Sequence, residues 1–124
     1  MTILDANAIL RYILSDIPEQ AHITKMRLQN DEVLILPEVA MEVIFAMRKF
    51  YKIPRTEISE ELLKFLAEVS CGNKILINAV KTFGIVNLDF VDCLLSEYSQ
   101  ENEYEIFTFD EDLIKYINKK VHHD

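Results

Sequence analysis

Apolar positions recur along the chain in two rhythms, and each rhythm predicts a type of element. Thr2 to Leu4 is a brief strand-favouring run, followed at once by Ala6 to Leu14, where Ile9, Leu10, Ile13 and Leu14 fall at helical spacing. Pro18 suits the first turn of a second helix that ends near Gln29. "EVLILP" (32–37) reads as a strand closed by Pro37, which in turn opens a helix running to about Lys52. From Ser59 to Val69 the residues Leu62, Leu63, Phe65, Leu66 and Val69 define another amphipathic helix, broken by "CGN" (71–73). Helices are predicted again at 74–83 and 89–101. "YEIFTFD" (104–110) alternates and is rich in β-formers, so it predicts a late strand, with a short helix after it through Tyr116. Strands separated by helices favour an α/β sandwich around a small parallel sheet.

Composition narrows this further. A chain of 124 residues supports one core of ordinary size, so residues 1–124 are read as a single domain. Half the residues are apolar and only two are Gly and three Pro, as in a helix-rich globule without low-complexity stretches. No apolar run reaches the roughly 18–20 residues of a membrane span, and the start lacks the pattern of a signal peptide, so a cytoplasmic location is expected. Cys71 and Cys93 lie outside any CxxC spacing and are read as buried, reduced thiols.

Charge changes the picture in two places. The net value is -8, yet residues 88–124 hold ten of the 21 acids and three of the 13 bases, so the rest of the chain is close to neutral. Residues 43–56 contain Arg48, Lys49, Lys52 and Arg55 and no acid, a stripe able to touch phosphates or simply to complement a helix end. Arg48, Lys49 and Lys52, with Arg11 on the first helix, are the candidate phosphate-contacting cations.

Five acids stand at places where chemistry gathers in α/β proteins. Asp5 and Asp110 each follow a predicted strand and precede a helix, beyond the carboxyl ends where sites form in parallel sheets. A plain helix cap explains each of them equally well. Glu42 lies four residues after Glu38 on one face of the helix opened by Pro37, and by periodicity alone it is a boundary residue. In "NLDFVDCLLSEY" (87–98), Asp89 and Asp92 share one helical face, where capping and the helix dipole also account for them. The three histidines, His22, His122 and His123, fall outside every motif and are assigned to the surface.

Taken together, "ILDANAILRYIL" (3–14), "LPEVAMEVIFAMRKFY" (36–51), "LDFVDCLL" (88–95) and "FTFDEDL" (107–113) resemble the layout of PIN-domain nucleases. They are similar in particular to the VapC-like toxin ribonucleases of type II toxin–antitoxin systems. The resemblance implies a three-layer α/β/α sandwich with a small, mainly parallel central sheet. It implies an acidic centre of Asp5, Glu42, Asp92 and Asp110, with Asn7, Asp89 and Thr108 in support. By the same resemblance the chain hydrolyses single-stranded or structured RNA with Mg²⁺ or Mn²⁺, forms a homodimer and is neutralised by a cognate antitoxin. All-oxygen ligands suit these ions, whereas Zn²⁺ favours His or Cys. A catalytically silent PIN scaffold that binds RNA or a protein is the alternative. A receiver domain is disfavoured because Asp110 stands where a Lys is needed, and a haloacid-dehalogenase-like phosphatase because Asn7 replaces its second acid.

Overall fold

Two short strands and seven helices make up the described part of the chain. The computed structural model describes residues 1–101 and 103–123. In order they are β1 (Thr2–Ile3), α1 (Ala6–Leu14), α2 (Pro18–Asn30), β2 (Val33–Leu34), α3 (Pro37–Lys49), α4 (Arg55–Glu68), α5 (Lys74–Ile85), α6 (Phe90–Tyr98) and α7 (Glu111–His123). β1 and β2 pair in parallel, Thr2 opposite Val33 and Ile3 opposite Leu34, with α1 and α2 as the crossover between them. Asp31 ties the end of α2 to β1: Arg27 and then Thr2 hydrogen-bond its carboxylate and hold it below the usual range.

The helices pack mainly on their neighbours in sequence, α1 on α2, α4 on α5 and α5 on α6, while α3 rests against α1, α4 and α6. Their inner faces form one apolar cluster around Ile9, Val43, Leu62, Phe65, Val80 and Phe83, all nearly or fully buried. Gly84 permits the close approach of α5 to α4, because a Cβ there would stand 2.6 Å from the Cβ of Ser59. Ser59 completes that contact by donating to the Val80 carbonyl at 2.9 Å. No helix among the described residues is long and apolar enough to cross a membrane.

Several expectations are corrected. The predicted strand at 104–110 carries no strand pairing, and Phe107 and Phe109 stand 86% and 87% exposed, edge to face with each other. The alternation is real, since Ile106 and Thr108 are partly covered, but the segment has no ladder partner. α3 ends at Lys49 instead of Lys52: Lys52 adopts a left-handed φ of 56°, and Ile53 turns its N–H back to the Met47 carbonyl at 3.0 Å. Pro54 disfavours helical backbone at Ile53 and fixes the entry to α4, which therefore starts at Arg55, four residues before the expected Ser59. α6 is shorter than expected and α7 longer. Cys93 is buried, with burial pushing its thiol up to about 12, whereas Cys71 is only half-buried. His22 is exposed as expected; the side chains of His122 and His123 lie outside the described residues.

Candidate active site

Asp5 sits in extended backbone between β1 and α1, and its Oδ1 accepts the Ala8 N–H at 2.8 Å. It is therefore a helix cap, and capping leaves its second oxygen free of any local bond in the described structure. Burial of Ala40, Val43, Ile44 and Met47 on the inner face of α3 turns Met41, Glu42 and Phe45 outward. Asp5, Asn7 and Glu42 thereby line one open cavity of about 580 Å³, walled by Met41, Phe45 and Phe50. Two elements that are far apart in sequence supply its polar groups.

The remaining acids gather around the start of α6. Asp89 occupies the N-cap position without using its side chain for the cap. Asp92, in the first turn, is half-buried; burial chiefly, and then the charges of Asp110 and Asp89, push its carboxyl above the ordinary range. Asp110 caps α7, accepting the Leu113 N–H at 3.1 Å, and its own N–H donates to Thr108 Oγ1 at 3.0 Å. Thr108 thus shapes the turn that presents Asp110.

The raised carboxyl of Asp92 has a consequence for stability. The folded chain holds this proton more tightly than the unfolded one, whose carboxyl titrates near about 3.9. The stabilisation present in acid is lost as pH rises through the raised folded value, and at neutral pH the ionised group burdens the fold. Asp92→Asn is expected to raise the melting temperature at pH 7 and to leave it nearly unchanged near pH 3. Thermal melts at the two pH values check this; a variant that melts lower at pH 7 contradicts it.

A residue with no assigned role in the sequence reading holds this region together. Arg55, counted there in the basic stripe, turns inward: its Nε donates to the Phe83 carbonyl at 3.0 Å, and its Nη2 to the Leu88 carbonyl, one residue before Asp89. The guanidinium lies 3.7 Å from the centre of the Phe83 ring. Its pKa is lowered, by burial first and then by Arg48, against the pull of Cys93 and Asp89. The signal was there to read: a cation in the first turn of a helix, directly after Pro54, opposes the helix dipole and needs another reason to be there.

The other candidate cations separate. Arg11 pairs with Asp16 at 3.0 Å and donates to the Tyr51 hydroxyl at 2.8 Å, with only 12% of its side chain exposed, so it is not a free surface cation. Arg48, Lys49 and Lys52 are exposed. Arg48, Lys49 and Asp89 line a second cavity of about 580 Å³, which shares Met41 and Phe45 with the first.

The structure thus brings Asp5, Asn7 and Glu42 to one cavity, and sets Asp89 and Asp110 each within electrostatic reach of Asp92. Among the described residues no three His, Cys, Asp or Glu side chains converge as a metal cage. The donor chemistry still fits a hard divalent cation: the candidate ligands are all oxygen, and Asp92 is crowded by carboxylates whose repulsion such an ion relieves.

Residues 2–119 match the family model of the PIN domain. No curated protein and no solved structure matches the chain.

Proposed function

Since the chain belongs to the PIN-domain family, whose members are generally metal-dependent nucleases, we propose that it is an endoribonuclease acting on single-stranded RNA. The observation that carries this reading is the convergence of Asp5, Asn7 and Glu42 on one open cavity adjoining the cavity that Asp89 lines, with Asp92, pushed up by burial and then by Asp110 and Asp89, one turn further along α6. Carboxylates concentrated in this way disfavour a polyanion unless a cation intervenes. Asp5, Glu42, Asp92 and Asp110 would hold Mg²⁺ or Mn²⁺, with Asp89 and Asn7 orienting ligands at the rim. Bound there, the ion supplies activation of water and neutralisation of phosphate charge. Thr108 and the α7 cap keep Asp110 in position, and Arg55 keeps the backbone leading into Asp89 in position. Arg48 and Lys49 attract the RNA backbone from the adjoining cavity.

The same reading places the protein among VapC-like toxins, acting as a homodimer and restrained by a cognate antitoxin. Its test is incubation of a randomised single-stranded RNA pool with Mn²⁺, Mg²⁺ or EDTA, followed by mapping of the ends. Metal-dependent cuts leaving 5′-phosphates and 3′-hydroxyls are expected. RNA that binds yet stays intact under every condition would replace this reading with that of a silent binding scaffold. The division of the acids between two places is the observation that favours that second reading.

A further inference from the structure

The outward face of α3 carries a combination that neither the apolar core nor the acids explain. Phe45 is 53% exposed and Phe50 69% exposed, their rings edge to face with centres 6.1 Å apart. Lys49 Nζ lies 5.1 Å from the centre of the Phe45 ring. Exposing two phenylalanines side by side forgoes burial of a large apolar area, and an apolar patch rimmed by charged groups, as this one is, marks a binding face.

Position and charge say which occupant. Phe45 and Met41 line both cavities and so form the ridge between them. On one side stand Arg48 and Lys49, which together outweigh the single acid Asp89 there, and on the other Asp5 and Glu42. Among the described residues, Arg48, Lys49 and Lys52 enter no ion pair, although the chain as a whole carries -8. A partner must therefore be anionic at the cationic side, aromatic or apolar over the ridge, and continuous with the acidic cavity. Single-stranded nucleic acid meets all three demands, because its phosphates and unstacked bases alternate along one strand.

We propose that Phe45 and Phe50 form a base-stacking subsite: one unpaired nucleobase lies on the ridge, its adjoining phosphates held by Arg48 and Lys49, and the strand continues over it towards Asp5 and Glu42. This rests on the nuclease reading for its direction of travel, but not for its existence. Stacking is indifferent to base identity, since every base presents a π-face, so the subsite fixes register along the strand and contributes little sequence preference. It also disfavours duplex substrates, whose bases are already stacked.

The test measures affinity with Ca²⁺ in place of Mg²⁺ or Mn²⁺, so that the acids carry a counter-charge, over times too short for cleavage. The probes are a fluorescein-labelled single-stranded oligoribonucleotide and an abasic oligomer of the same length and charge. Phe45→Ala and Phe50→Ala are expected to weaken binding of the base-bearing probe by about fivefold to a hundredfold and to leave the abasic probe unchanged. Phe45→Trp is expected to restore binding. Lys49→Ala is expected to weaken both probes alike and to reduce the salt dependence by about one phosphate contact.

Equal loss on both probes, or no loss on either, overturns the subsite. So does a Phe45→Ala protein that changes from dimer to monomer in light scattering with its RNA affinity intact, which would assign the ridge to a second copy of the chain. The two readings fail separately. A parent that cuts RNA while the Phe variants bind normally keeps the nuclease and loses the subsite. A parent that never cuts but loses base-dependent affinity in the Phe variants keeps the subsite without the nuclease.

Discussion

Asp5→Asn is expected to reduce metal-dependent RNA cleavage by at least about a hundredfold, since even groups one shell removed from a metal cost ten- to a hundredfold when lost. The same variant is expected to melt close to the parent. The reason is the double use of Asp5. One oxygen caps α1 through the Ala8 N–H, and Asn caps a helix as well as Asp does, so the fold keeps its bond while the cavity loses a charge. Asp5→Ala removes both, and is expected to add a stability loss of about 1 kcal/mol to the same loss of activity. Cleavage rates over a Mn²⁺ titration, set beside thermal melts of the two variants, check the pair. An Asp5→Asn protein that cuts at the parental rate leaves Asp5 as a cap and nothing more.

Arg55→Ala carries the second large effect, this time on stability. The side chain makes two charge-assisted hydrogen bonds to the Phe83 and Leu88 carbonyls and covers the Phe83 ring, so truncation strands the Phe83 carbonyl, leaves that of Leu88 with only the weak Cys93 thiol donor, and exposes an aromatic face. A loss of about 3 kcal/mol is expected, or roughly 10 °C in melting temperature for a chain of this length. The effect does not stop at stability, because the clip holds the residue before Asp89. Arg55→Lys keeps a charge but not the forked geometry, and cannot reach two carbonyls in the same way. At a temperature where this milder variant is still folded, it is expected to need about tenfold more Mn²⁺ for half-maximal cleavage. An unchanged metal requirement in Arg55→Lys confines the residue to holding α4 against α5.

How much of this could be read in the sequence depends on whether a residue's partner is local. The starts of α2 and α3 were legible because Pro18 and Pro37 set the backbone by themselves. Asp5 was legible as a strand-to-helix acid, whereas Asp110 precedes a helix without a strand before it; the caps of both involve residues only three positions away. The strand expected at 104–110 failed because alternation describes a chain's own two faces and says nothing about whether a neighbouring strand is there to pair with it. Arg55 was misread for a similar reason. Four cations within fourteen residues look alike as a charge stripe; the place of Arg55 in a first turn sets it apart, but only the approach of α5 and of the turn into α6 supplies the carbonyls it binds.

The arrangement of the helices also orders events in time. Contacts of α4 with α5 and of α5 with α6 join consecutive elements, and they close short loops that form quickly. Pairing of Thr2 with Val33 must instead close a loop of about thirty residues before the first ladder bond is made. Arg55 and Leu88, whose hydrogen bond holds the turn into Asp89, are separated by a similar length of chain, so both groups of acids wait on a long-range closure. Chemistry that needs both groups of acids is therefore expected to begin only when both of these long-range contacts have closed.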